Sequence, residues 1–111
     1  MELQFIDPGR FRRELVLSRL VPVPDGAGGY AESWADEATV YAALEPVHAR
    51  AARAGEQALE HVTHRVTMRF RSGVEAGMRF ATGARMFHIV TVHDPDESGR
   101  YLVATVREDL P

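Results

Sequence analysis

The chain has 111 residues, 45% of them hydrophobic and 26% charged, with a net charge of −3 and no cysteine. That size describes one domain, large enough to bury very roughly two-thirds of the surface its unfolded chain exposes. The composition excludes a disulfide framework and thiolate metal sites, and the charge sets up no overall field to recruit nucleic acid or an anionic membrane.

No apolar run is long enough to span a bilayer as a helix. The N-terminal MELQFIDPGRFRREL lacks the apolar stretch of a signal peptide, so export by that route is not expected. All 13 basic side chains are arginine and none is lysine. A GC-rich coding genome accounts for this skew. So does selection for the planar, bidentate contacts that arginine makes at protein interfaces, and the two readings are compatible.

Asp7-Pro8-Gly9 is a turn signal, and the lead-in around it reads as a short helix or an irregular segment. Arg12 to Val21 reads as a strand with Leu15 and Leu17 on one face and Glu14, Val16, Ser18 and Leu20 on the other, so both faces are expected to be partly covered. Pro22 to Tyr30 reads as a projecting, mobile hairpin loop. Its prolines cannot donate to a ladder, and Asp25-Gly26 and Gly28-Gly29 supply positive φ. Ser33-x-x-Asp36 has a capping-box-like spacing that suits a helical turn before a strand through Thr39, Val40 and Tyr41. In that strand Val40, Ala42 and Leu44 face the core, and Trp34 packs over the edge of the sheet.

From Val47 to Glu60 the chain turns rich in alanine, arginine and glutamate. Helix propensity, interrupted by Gly55, predicts a loop with partial helix over 55–60 and marks this segment as the mobile one. From His61 to Glu108 four β-type runs follow one another, separated by SGVEAG, ATGA and DPDESG. In the first run Val62, His64, Val66, Met68 and Phe70 share one face, and His61, Thr63, Arg65, Thr67, Arg69 and Arg71 the other. A short strand holds Phe80, and Gly83 makes a tight turn. The run from Met86 to His93 is apolar on both faces and is therefore expected to be central, with His88 on an inner face. Leu102, Ala104 and Val106 alternate with Tyr101, Val103 and Thr105. The fold expected is mainly β: a small antiparallel barrel or sandwich of about six strands, with long loops and at most short helices.

No motif carries chemistry. His61 and His64 lie three apart on a strand and so face opposite sides, which rules out clamping one metal ion. His64 and His88 read as hydrogen-bonded core or barrel-end imidazoles. Asp94, Asp96 and Glu97 lack the spacing and the terminal glutamate of an EF-hand and read as turn chemistry. No nucleophile elbow, phosphate-binding loop or acid–base constellation is legible, so neither an enzyme nor a cofactor is expected. Arg65, Arg69 and Arg71 line one strand face, and an oligomer interface or a basic lumen suits them. The alternative is a small OB-like barrel that binds single-stranded nucleic acid. The acidic pI of about 5.9 and the threonines in place of stacking aromatics on that face count against it.

The order of elements resembles the tailed-phage head-closure family, also called head–tail joining proteins or stoppers. The resemblance covers nearly the whole chain. It rests on the basic first strand after Pro8-Gly9-Arg10, on Asp25-x-x-Gly28-Gly29 followed by Trp34, and on Val40-Tyr41-Ala42-Ala43-Leu44-Glu45-Pro46. It continues through Thr63 to Arg71, Gly73-Val74, Gly77-Met78-Arg79, Phe87-x-Ile89 and Asp94-Pro95-Asp96-Glu97. Relatives often carry an acidic residue soon after the Glu-Pro strand end, where this chain has Arg50 and Arg53.

The resemblance implies a structural protein of a phage or gene transfer agent particle. It implies a ring of copies, usually twelve, below the portal and its adaptor and above the tail-terminator or tail proteins, with packaged DNA held without regard to sequence. By position, His48, Arg50, Arg53, Glu56 and Gln57 are the candidates for a channel-lining loop. Asp25, Gly28, Gly29, Trp34, Arg65, Arg69 and Arg71 are the candidates for contacts with neighbouring subunits.

Overall fold

The computed structural model describes residues 6–47 and 62–109. A single 3-10 turn, Pro8–Arg10, precedes six strands: β1 (Arg13–Pro24), β2 (Tyr30–Pro46), β3 (His64–Arg69), β4 (Arg79–Thr82), β5 (Arg85–His93) and β6 (Tyr101–Glu108). All pairings are antiparallel. The sheet runs β1-β2-β3-β6-β5-β4, and β4 pairs back to β1, so it closes on itself. The expected mainly-β architecture of about six strands is the one observed.

Strand alternation fills the interior. Leu15 and Leu17 of β1, Val40 and Ala42 of β2, Val66 and Met68 of β3, Phe80 of β4, Phe87 and Ile89 of β5, and Leu102, Ala104 and Val106 of β6 are all buried and form one cluster with Met78. Two bulges adjust the ring. Opposite Leu17 and Ser18 the partner jumps from Ala38 to Asp36, leaving Glu37 as the extra residue of β2. In β5 the partner steps from Ile89 to Thr91, leaving Val90 extra, so Val92 joins Phe87 and Ile89 in packing on the core. The Gly83–Ala84 connection between the paired Thr82 and Arg85 turns on Gly83 at φ 57°, the conformation glycine supplies in a two-residue hairpin.

Several expectations are corrected. The Ser33–Asp36 stretch is strand, because Ser33 pairs with Val21 and Asp36 with Ser18. Ladder pairing outweighs a local capping signal. Phe70 lies one residue beyond β3 and is 47% exposed. His88 points outward, because Phe87 and Ile89 take the inner positions. The outer face of β3 is not uniformly solvated: Thr67 and its partner Val103 are buried there. They line a cavity with Ile6 and Phe11 of the N-terminal lead-in, and Phe11 packs edge-on against Tyr101 at 5.9 Å.

His64 is the barrel-end imidazole. Its Nδ1 lies 2.9 Å from Thr63 Oγ1, and its ring meets Phe87 edge-on at 5.2 Å. Burial pushes its pKa below the usual histidine value, outweighing the pull of Glu108; Arg85 acts in the same direction as burial. Arg85 stacks over the Phe87 ring at 4.9 Å and grips Glu108 through two bonds, of 2.7 and 3.1 Å. The Asp94–Gly99 turn uses its carboxylates on itself: Asp94 accepts from Gly99 N–H at 2.7 Å, and Asp96 accepts from the Ser98 hydroxyl at 2.6 Å.

Two outcomes follow for stability. Phe87→Ala empties a fully buried position and is expected to cost about 3–5 kcal/mol, read as a lowered midpoint in urea unfolding. A folded-state pKa below the unfolded one means that His64 contributes stability that is fully present above about pH 6.5 and is lost as pH falls through the lower folded value. The urea midpoint should therefore drop between pH 7.5 and pH 5, and His64→Gln should flatten that drop. An unchanged slope would show that His64 does not control it.

Candidate assembly surfaces

Beyond the Glu37 bulge, β1 and β2 run on alone. β4 pairs with β1 only at Val16–Ser18, and β3 pairs with β2 only from Ala42 to Pro46. From Arg19 to Ala35 the two strands form a ribbon with no third strand among the described residues. The expected loop over Pro22 to Tyr30 is thus shorter than predicted: Pro22, Val23, Pro24 and Tyr30 belong to the ladder, and only Asp25–Gly29 connects the strands. The prolines fit because of where they fall. Asp25 N–H donates to Gly29 O at 3.1 Å. Counting outward from that bonded pair, Pro24–Tyr30 and Pro22–Glu32 occupy non-hydrogen-bonded positions, where a missing N–H faces the free edge.

The base of this arm is anchored. Trp34 reaches across β1 to β4 and β5, with the Arg79 guanidinium 4.1 Å from its ring centroid and His88 edge-on at 6.0 Å. Ser18, on the strand crossed, is 2% exposed and donates its hydroxyl to Asp36 at 3.0 Å. Arg79 Nε is buried without a hydrogen-bond partner among the described residues, so its neighbourhood with Trp34 is a cation–π contact. His88 Nε2 lies 2.6 Å from Asp109 Oδ2.

The tip is held by Asp25. Its Oδ1 accepts from Ala27 N–H at 2.8 Å and Gly29 N–H at 3.1 Å, and these bonds hold its carboxyl below the usual range. Gly26 and Gly28 take φ of 80° and 85°, which L side chains rarely adopt. Along the ribbon Leu20, Pro22, Pro24, Tyr30, Glu32 and Trp34 share one face. Tyr30 is 72% exposed, the most exposed large hydrophobic side chain among the described residues.

A second surface lies at the other end of the hairpin. Asp7 caps the 3-10 turn by accepting from Gly9 N–H at 2.9 Å, and the turn leads into Arg12 and Arg13. A groove of about 340 Å³ is lined by Arg10, Arg12 and Arg13 and by Ala42, Ala43, Leu44 and Glu45. Beside it, Arg65 is half-buried and 3.5 Å from Glu45. No carboxylate among the described residues pairs with Arg10, Arg12 or Arg13.

The residues singled out from sequence therefore fall on two surfaces. Asp25, Gly28 and Gly29 form the arm tip, and Trp34 its base. Arg65 and Arg69 sit on the outer side of β3, with Arg69 exposed at its end, and Arg71 lies past the strand. His48, Arg50, Arg53, Glu56 and Gln57 lie outside the described residues. Sequence reasoning missed Arg10, Arg12, Arg13, Tyr30 and Glu32; the clustering of three arginines within four positions was the available signal. It also missed Arg79, whose role depends on β4 lying beside the arm base. Among the described residues no group of three or more His, Asp or Glu could hold a metal ion.

Comparison with known proteins gives a consistent setting. A family model described as phage head completion protein matches residues 6–109. The solution structure of protein SF1141 from Shigella flexneri 2a superposes with a TM-score of 0.74 at 27% identity, covering 93% of this chain and 96% of that one. A chain in the virion of a native gene transfer agent particle superposes with a TM-score of 0.63 at 30% identity, covering 92% of this chain and 98% of that one. No curated protein matches the chain. With a match spanning the closed sheet, the arm and the arginine groove together, this chain belongs to the phage head completion protein family.

Proposed function

We propose that this chain is a structural protein of the head–tail connector. Its copies form a ring below the portal and its adaptor, which retains packaged DNA and offers the tail a docking surface. The observation that carries the reading is the head completion match over residues 6–109. A gene transfer agent virion chain at 30% identity supports it. A stable closed sheet with surfaces exposed at both ends of one hairpin suits a subunit that completes its burial against neighbours. The net charge of −3 suits a ring that contains DNA without holding it by strong attraction.

In this reading the partners are other copies, the adaptor above, tail-terminator or tail proteins below, and DNA in the channel regardless of sequence. The channel-facing role falls to 48–60, the polar connection between β2 and β3, on sequence grounds alone.

Electron microscopy of particles tests the placement. Density for this chain is expected at the neck, and particles made without it should show heads that have lost DNA and lack tails. Density elsewhere in the particle would sink the reading. Deleting residues 50–56 should leave the cooperative unfolding of the purified chain intact but lower the fraction of DNA-filled heads. Normal DNA retention in that deletion would remove the channel role from this segment.

A further inference from the structure

The arm and the groove are complementary in charge and sit at opposite ends of one hairpin. From Arg19 to Glu37 the arm carries one arginine against four carboxylates, Asp25, Glu32, Asp36 and Glu37, a balance of −3 that equals the net charge of the whole chain. Arg19 and Glu37 neutralise each other at 2.6 Å, and Asp36 is engaged by Ser18. Asp25 is tied to backbone N–H groups at the tip, which leaves Glu32 as the arm carboxylate without a hydrogen-bond or ion-pair partner among the described residues, on the same face as the exposed Tyr30. The groove offers the converse: three arginines without carboxylate partners among the described residues, beside the partly buried Ala43, while Glu45, which also lines it, lies 3.5 Å from Arg65.

The two surfaces cannot meet within one molecule. β1 runs from Arg13, at the groove, to Pro24, at the arm tip. At the usual strand rise that separates them by roughly 36 Å along a continuous ladder. A contact between a surface and its distant complement is heterologous, and repeating it around an axis closes a ring. Tyrosine and arginine are also among the side chains most enriched at the energetic centres of protein interfaces.

We propose that the Tyr30–Glu32 face of the arm docks in the Arg10–Arg12–Arg13 groove of the next copy of this chain. This rests on the ring reading above and specifies its contact. Tyr30 packs against Ala43 and the aliphatic stems of the groove arginines, and Glu32 pairs with those arginines, Arg12 or Arg13 first.

The chain has no cysteine, so paired substitutions report this contact directly. Particles assembled with the Glu32→Cys, Arg12→Cys double variant should yield, after mild oxidation, a ladder of dimers, trimers and higher species of this chain. Each single variant should yield only monomer. Charge reversal gives a second readout: Glu32→Arg alone, or Arg12→Glu with Arg13→Glu, should lower the copies incorporated per particle several-fold, and combining the three should restore them. Both sites are exposed, so folding is expected to survive. If particles contain the chain but the double variant stays monomeric, or links only to a different protein, the docking is wrong while the connector reading stands. If particles lack the chain altogether, the connector reading falls and the docking with it.

Discussion

The structure depends on a seam of three residue pairs. Val16, Leu17 and Ser18 of β1 pair with Ala81, Phe80 and Arg79 of β4, and without them the sheet would be open along both strands. Closure removes unpaired edges over most of the ring and encloses Leu17 and Phe80, each essentially unexposed, at the seam itself. The same pairs act on the outside. Ser18 opposite Arg79 sets the guanidinium under Trp34, so the join that closes the interior also fixes the root of the arm.

The arm is what remains of β1 and β2 once the seam is satisfied. Both strands outrun their neighbours, and the Glu37 bulge falls where the third strand ends. A free two-stranded ribbon is a liability, because its edges invite strand addition. Here Pro22 and Pro24 remove donors from one edge, and Asp25 ties the tip with two backbone bonds. A ribbon blunted in this way still exposes Leu20, Val23 and Tyr30.

Much of the interior was legible because strand periodicity and burial report the same thing. Alternation alone places Val40, Ala42, Val66 and Met68 inward, and they are buried. Alternation failed where a bulge or a strand end intervened. Sequence parity puts His88 on an inner face, because β5 is apolar on both faces. Only the neighbouring strands decide that Phe87 takes the interior, and the Val90 bulge then turns Val92 inward. Phe70 carries the inward parity of β3 but lies past its end. Thr67 belongs to a polar face by sequence, yet it lines the cavity under the N-terminal lead-in, a contact between residues far apart in the chain.

The candidate surfaces were legible in part, for the same reason. Asp25 and the glycines mark where the chain reverses, because positive φ and a short carboxylate are local requirements that a sequence can display, but the connection is shorter than the loop over Pro22 to Tyr30 that the sequence predicts. The length of the arm, its anchoring by Trp34 on Arg79, and the separation of the acidic ribbon from the arginine groove follow from which strands lie side by side. By itself, then, the sequence determined most of the strands, the inward faces of β2 and β3 and the tight turn at Gly83, since these rest on propensity and period within a few residues. Only the tertiary structure decided that a long hairpin escapes the ring and carries opposite charges at its two ends. Strand pairing across tens of residues sets where a ladder stops, and nothing local encodes that limit.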